Sequence, residues 1–194
     1  TQFLIMLGAI VAGVTALILL EPFRFQRLIS FTNPWADPLG VGYQLSNALM
    51  AFGRGEWFGT GLGHSVQKLS YLPEAHTDFM LAVLGEEFGF VGVTIVMALS
   101  FTMLACCMRI GHRALQHNYL RAGYLAYGIS IIFLLQILVN AGMNMGLMPT
   151  KGLTLPFISY GGTSLMMCAA MISLILKIDA STQELNPVKE ESNF

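Results

Sequence analysis

Long runs without a charged side chain constrain this sequence more than any other feature. Residues 88–108 and 122–150 contain no Asp, Glu, Lys or Arg. Each run is as long as the ~20 residues that a helix needs to cross the ~30 Å hydrocarbon core of a bilayer. Only 11% of the residues are charged, whereas soluble domains carry about 25%. The sequence therefore predicts an all-α polytopic membrane protein.

Two further apolar runs bring the predicted transmembrane helices to four. Phe3–Leu20 is uncharged and just long enough to cross, and Thr163–Leu176 is the last such run. The predicted segments are, in order, a transmembrane helix at 1–20, a large extracytoplasmic loop at 21–87, a transmembrane helix at 88–108, a cytoplasmic loop at 109–123, a transmembrane helix at 124–145, an extracytoplasmic loop at 146–162, a transmembrane helix at 163–177 and a cytoplasmic tail at 178–194.

The predicted orientation depends on the basic residues of the short loops. Loop 109–123 contains three arginines, whereas loop 146–162 contains one lysine. Positively charged loops stay on the cytoplasmic side, so the arginine loop is predicted inside and the long 21–87 loop outside. A formal net charge of −1 gives no electrostatic argument for nucleic acid as a partner.

The large outer loop contains a second, shorter apolar stretch. Tyr43–Phe52 is apolar enough for a helix but too short to cross, so it predicts a helix that is either interfacial or re-entrant. Both tryptophans, Trp35 and Trp57, lie in the same loop, and Trp favours the headgroup level of a membrane. We therefore expect short helices near the outer membrane surface.

Asp78 is the residue whose position most strongly indicates chemistry. It ends a titratable cluster with Glu74 and His76, directly before an apolar run that begins at Phe79. Asp is a favoured N-cap residue, so helix capping is one interpretation. A general base is the other, because a carboxyl group that loses solvent at a membrane boundary acquires a raised pKa.

A polar stripe runs along one predicted transmembrane helix. Gln136, Asn140 and Asn144 recur every four residues, which places them on one helix face. Hydrogen bonds between helices are one interpretation, worth about 1 kcal/mol or less each. The wall of a hydrated groove for a polar headgroup is the other, because polar residues within membranes face a bundle interior.

Charged residues of the outer segments have two interpretations as well. Arg54, Lys68 and Lys151 lie near glycine-rich turns, where they are either solvated or neutralise a lipid diphosphate, since cations stabilise a departing phosphate. Glu86 and Glu87 precede a predicted span. Carboxylates at that position complement the helix dipole, and a metal or substrate role is the alternative.

Five motifs in order along the chain resemble the SEDS family of bacterial shape, elongation, division and sporulation proteins. They are YQLSNAL at 43–49, GTGLG at 59–63, PEAHTDF at 73–79, GEEFG at 85–89 and PTKGLTLPFISYGG at 149–162. The PTKGLTLP version is similar to that of the division member. The family has more transmembrane helices than this chain, and the four predicted here resemble its C-terminal ones.

The resemblance implies a peptidoglycan glycosyltransferase that polymerises lipid II, with Asp78 as the catalytic base and undecaprenyl diphosphate as the leaving group. It also implies a divalent cation (Mg or Mn), a class B penicillin-binding protein transpeptidase and other divisome proteins as partners, and a place in the inner membrane at the division septum. We expect the chain by itself to be inactive. The residues we predict to bind substrate are Arg54, Lys68, Glu74, His76, Asn140, Asn144 and Lys151, and no metal ligand is assigned.

Two other functions fit the same residues. A lipid II flippase would use the polar stripe without making bonds, although it needs polar residues through the whole bilayer depth, and these spans have few. A divisome scaffold that recruits the transpeptidase would need no acid at Asp78.

Overall fold

A computed structural model describes residues 5–8, 13, 33–40, 42–67, 72, 75–150 and 152–184. Within these ranges the chain forms helices, turns and irregular segments but no strand, which confirms the predicted all-α class. The main elements are a 3₁₀ helix at Pro34–Ala36 and four α-helices, α1 at Tyr43–Gly55, α2 at Met80–Gln116, α3 at Leu120–Asn144 and α4 at Gly162–Glu184.

Three of these helices, α2, α3 and α4, are long and apolar enough to cross a membrane. The 25 residues of α3 extend about 37 Å at 1.5 Å per residue, more than the ~30 Å hydrocarbon core. The fourth predicted span, at 1–20, lies almost entirely outside the described residues.

Helix α2 is longer at both ends than the predicted 88–108 span. It begins at Met80, and Gly89 interrupts it with φ 69° and ψ −165°, a conformation that suits glycine because it has no Cβ. It also continues past Met108 to Gln116 and includes Arg109 and Arg113. Arginine forms helix readily and extends its charged end beyond apolar surface, so these residues did not end the helix.

The predicted cytoplasmic loop at 109–123 is therefore wrong in most of its length. Helix α3 already begins at Leu120, and a short turn around Asn118, at φ 61°, joins it to α2. Helix α4 likewise extends beyond its predicted end at 177 to Glu184. In each case the helix continues beyond the apolar run that predicted it.

Close packing of α2, α3 and α4 forms the core of the membrane-spanning part. One cluster of buried residues joins the three helices through Leu104 of α2, Phe133 of α3 and Ile175 of α4. Nearer the α2–α3 turn the two helices approach closely, since a Cβ at Gly111 would lie 3.3 Å from the Cβ of Ala126. The result is an α2–α3 hairpin against which α4 packs.

Helix α1 occupies the position where we predicted a short helix at 43–52. Its 13 residues extend about 20 Å, which is too short to cross a bilayer. It packs against the beginning of α2, where its Ala48 and Ala51 meet Phe79 and Ala82. This layer, together with the connecting segments on either side of it, positions the candidate site.

Candidate active site

Asp78 lies half-buried in the turn that precedes α2. Its main-chain carbonyl oxygen accepts hydrogen bonds from Nδ2 of Asn140 and Nδ2 of Asn144, each at 3.0 Å. Both asparagines belong to the last two turns of α3. The end of one membrane-spanning helix therefore holds the peptide group that carries the candidate base.

The asparagine pair also joins other parts of the site. Asn140 Nδ2 donates to the carbonyl of Leu153 at 2.6 Å, and Asn144 Nδ2 donates to the carbonyl of Asn140 at 2.9 Å. Asn144 Oδ1 accepts a hydrogen bond from the main-chain N–H of Ala82 at 3.2 Å. The Ala82 N–H also donates to the carbonyl of Phe79 at 3.0 Å, so Asn144 adds a second acceptor at the beginning of α2 from a neighbouring helix.

Both asparagine side chains are fully buried, and their hydrogen bonds are made to the protein itself. In the structure Asn140 and Asn144 therefore make hydrogen bonds within the protein, and direct contact of either residue with substrate stays a prediction. Gln136, the third member of the predicted stripe, has a different environment. Its Oε1 is buried without a hydrogen-bond partner among the described residues.

The segment that precedes α4 forms the third side of the site. Tyr160 donates its main-chain N–H to the carbonyl of His76 at 2.8 Å. A Cβ added at Gly152 would lie 3.3 Å from Oδ2 of Asp78, so this carboxylate oxygen is close to the Gly152 backbone. Segments 75–79 and 152–160 and the end of α3 thus meet around Asp78.

A cavity of about 540 Å³ opens beside this meeting point. His76 and Met80, the residues two before and two after Asp78, contribute to its wall. Most of the remaining wall comes from the segment before α4 and the first turn of that helix. The lining residues are His76, Met80, Phe157, Ile158, Ser159, Tyr160, Gly161, Gly162 and Leu165.

Glu86 has contacts that the sequence analysis did not predict. It lies three residues before Gly89, where α2 is interrupted, and its side chain is fully buried. The carboxylate accepts hydrogen bonds from Ser65 Oγ, from Val66 N at 3.2 Å and from Gln67 N at 3.3 Å. Nη1 of Arg54 lies 3.5 Å from Oε1.

The main-chain carbonyls of Glu86 and Glu87 also hold the chain a few residues before Ser65, at Thr60 and Gly61. The carbonyl of Glu86 accepts from both N and Oγ1 of Thr60, at 2.9 and 3.0 Å, and the carbonyl of Glu87 accepts from Gly61 N at 3.1 Å. The only sequence signal for this role is the GEEFG motif, which indicated a family resemblance but no contact.

The other predicted site residues differ in what the structure describes. Arg54 is half-exposed and paired with Glu86, His76 is exposed on the cavity wall, and the remaining three, Lys68, Glu74 and Lys151, lie outside the described residues. Within the described ranges no group of three His, Cys, Asp or Glu side chains is arranged to hold a metal ion. We therefore assign no ligand to the divalent cation that the resemblance implies.

Comparison with known proteins settles the family. The family model for the FtsW, RodA and SpoVE cell cycle proteins matches residues 1–184. The chain belongs to this family. The resemblance to the SEDS family is thus confirmed.

Curated relatives carry one description. The chain is 86% identical over its whole length to the probable peptidoglycan glycosyltransferase FtsW of Acinetobacter baylyi, of which it covers 49%. It is 52% identical over 182 residues to the protein of the same description from Escherichia coli O157:H7, of which it covers 44%. The chain thus spans about half the length of the curated relatives it matches.

A solved structure shares the fold. The matching chain comes from a structure that describes the structural coordination of polymerization and crosslinking by a peptidoglycan synthase complex. The TM-score is 0.67 at 28% identity, and the alignment covers 93% of this chain and 49% of the other. With three helices that can cross a bilayer and FtsW relatives, this family member is a multi-pass membrane protein.

Proposed function

We propose that the protein to which this chain belongs is a peptidoglycan glycosyltransferase that polymerises lipid II in septal cell-wall synthesis. One observation carries the proposal. The carboxylate-bearing segment 75–79 is held by the end of α3 and by the segment before α4, next to a largely apolar cavity. A lipid-linked sugar needs such a combination, with apolar surface for its lipid and a fixed polar group for its headgroup.

In the proposed reaction Asp78 acts as general base. Its carboxylate takes the proton of the acceptor GlcNAc 4-hydroxyl while that oxygen attacks the anomeric carbon of the donor MurNAc. The new C–O bond forms as the bond to the diphosphate breaks, and the electron pair leaves with undecaprenyl diphosphate. Attack from the opposite face turns the α linkage into a β linkage. A positioned base of this kind contributes about 10²–10⁴-fold to a rate.

The position of the site along the helices supports an extracytoplasmic reaction. Asp78 lies at the beginning of α2, whereas Arg109 and Arg113 lie in its last turns. The residues between Phe90 and Arg113 extend about 35 Å, so the two groups lie at opposite ends of a membrane-spanning helix. Because arginine-rich ends stay in the cytoplasm, we place Asp78 on the periplasmic side of the inner membrane. A location at the division septum is proposed on the strength of the FtsW relatives.

The similarity to a chain of a peptidoglycan synthase complex supports a class B penicillin-binding protein transpeptidase as partner. Other divisome membrane proteins are proposed partners on the strength of the FtsW relatives. A divalent cation (Mg or Mn) belongs to the proposal through the family resemblance, and it would help neutralise the departing diphosphate. No step above depends on it.

The test is polymerisation of purified lipid II by the full-length protein with its transpeptidase partner. We expect Asp78→Asn to abolish glycan chain formation, while Asp179→Asn, the same chemical change at the other end of the molecule, leaves it intact. Glycan chains of equal yield from Asp78→Asn and wild type would refute the catalytic role. In that case a transport assay for lipid II and a binding assay for the transpeptidase decide between flippase and scaffold.

A further inference from the structure

The segment that leads to Asp78 is held at both of its ends. At the far end the carbonyl of Asp78 is held by the two asparagines of α3. At the near end Gln67 donates its main-chain N–H to the Glu86 carboxylate, and its carbonyl accepts from Leu72 N at 3.0 Å. Glu86 thus holds one end of this stretch of chain, at Gln67, and the two asparagines hold the other end, at Asp78.

Because Glu86 is buried, its hydrogen bonds favour one conformation of the loop at Ser65–Gln67. A carboxylate without solvent is costly unless charged and hydrogen-bonding partners surround it. Glu86 is fully buried, and its partners are Arg54, Ser65 and the main-chain N–H groups of Val66 and Gln67. Three of the four donors belong to the loop, so the loop must stay in this position to satisfy the charge.

The helix between the two anchors is short and separate from the spanning part of α2. Asp78 and Glu86 are eight residues apart, which corresponds to about 12 Å along a helix. Gly89 then interrupts α2 before the membrane-spanning turns begin. A shift of the Ser65–Gln67 loop at Glu86 can therefore move residues 80–88, and with them the turn that carries Asp78, while the membrane-spanning helices stay in place.

We propose that Glu86 is a positioning residue for the glycosyl transfer: it fixes the loop at Ser65–Gln67 and so sets the place of the Asp78 carboxylate relative to the acceptor hydroxyl. This inference rests on the proposed role of Asp78. A displacement of about 1 Å in a reacting group lowers a rate by about 10²-fold. The loss falls on kcat, because substrate binding by the cavity wall does not involve Glu86.

The test measures kcat and KM for lipid II with full-length protein in complex with its transpeptidase, normalised to the amount of folded protein. We expect Glu86→Gln to lower kcat by about 10²-fold with KM within about twofold. Glu86→Asp, which keeps the charge on a shorter side chain, gives an intermediate kcat. Glu56→Gln, the same neutralisation at an exposed carboxylate of this loop, matches wild type.

Ser65→Ala supplies a second route if Glu86→Gln does not fold. It removes one donor and leaves the Arg54 pair, so we expect folded protein whose kcat falls several-fold, a smaller loss than for Glu86→Asp. A wild-type kcat for whichever of these variants folds would overturn the positioning role, as would a loss confined to the yield of folded protein. Activity in Asp78→Asn would instead overturn the proposed function, so the two failures are distinguishable.

Discussion

An arginine–carboxylate pair lies at each end of the molecule, and the two pairs differ in burial. At the site end Arg54 and Glu86 are 3.5 Å apart, and the Glu86 side chain has 0% exposure. At the other end Arg113 and Asp179 are 3.9 Å apart, with 62% and 24% of their side chains exposed. The first pair has a fully buried carboxylate within a hydrogen-bond network, whereas both members of the second are partly exposed, and exposed pairs contribute about 0–1 kcal/mol.

Glycine packing shows the same contrast. A Cβ on Gly55 of α1 would overlap the carbonyl oxygen of Gly85, and one on Gly89 would meet the main chain of Trp57–Gly59. At the other end a Cβ on Gly123 would meet mainly a side chain, that of Leu115 at 2.5 Å, and would lie 3.2 Å from the carbonyl oxygen of Gly111. The site end is thus fixed by main-chain contact and buried polar groups, while the opposite end depends on ordinary helix packing.

The largest expected effect comes from Gly55→Ala, which adds a methyl group where main chain lies against main chain. Because the backbone at Gly85 cannot move as a side chain can, we expect a loss of about 3 kcal/mol or more. Thermal unfolding of the full-length protein in detergent measures it. Gly53→Ala is the matched control in the same helix, since nothing lies within 4 Å of its new methyl group. Equal unfolding temperatures for the two variants would contradict this account of the site end.

Asn144→Leu removes one of the two donors to the Asp78 carbonyl and one of the two acceptors of the Ala82 N–H, which keep Asn140 and the Phe79 carbonyl as partners. Each lost hydrogen bond costs about 0.5–1.5 kcal/mol, and we expect turnover of lipid II to fall by more than the amount of folded protein does. The measurement is polymerisation per folded molecule. Asn140→Leu tests the same prediction from the second donor.

The control for the asparagines is Gln136→Leu, one helical turn before Asn140. Its Oε1 is buried without a partner among the described residues, so its removal is expected to be neutral or stabilising. Turnover that stays at the wild-type level in Asn144→Leu would leave that residue a packing role alone.

A smaller effect is expected from Gly152→Ala, whose methyl group would lie 3.3 Å from Oδ2 of Asp78. That distance is tight but can be relieved by a small shift of the carboxylate, so we expect kcat to fall a few-fold and stability to stay within about 0.5 kcal/mol. Gly128→Ala in α3 has open space around it and serves as the comparison. A kcat of Gly152→Ala equal to that of Gly128→Ala would show that the carboxylate tolerates crowding.

The smallest effect belongs to the exposed ion pair. Arg113→Gln removes its charge, and because the Arg113 side chain is 62% exposed we expect the free energy of unfolding to change by less than about 1 kcal/mol. Chemical denaturation in detergent compares it with Glu86→Gln. A larger loss from Arg113→Gln than from Glu86→Gln would reverse the comparison between the two ends.

The sequence predicts what depends on local patterns and misses what depends on distant partners. The apolar runs predicted four spanning helices, because crossing a bilayer requires about 20 such residues, and three helices of sufficient length and hydropathy lie in the described part of the chain. The observed helix ends differ from the predicted ends, because Arg109 and Arg113 are tolerated inside a helix. The contacts of Glu86 were not predicted because its donors, Ser65 to Gln67, lie about twenty residues away and contact it only in the folded chain.

The same limit applies to the asparagines. Their spacing predicted a shared helix face. Whether that face contacts a headgroup or the protein itself depends on the carbonyl groups of Asp78 and Leu153, and the periodicity of one helix carries no information about such distant partners. The resemblance to a family located Asp78, whereas the contacts that fix it came from the structure.

Asn140 and Asn144 hold the main chain of Asp78 and not its carboxylate. A neutral side chain at position 78 therefore keeps these two main-chain hydrogen bonds available. Under the proposed function, we expect the full-length protein with such a substitution, expressed beside the wild type, to compete for the same transpeptidase without making glycan and so to be dominant-negative for septation.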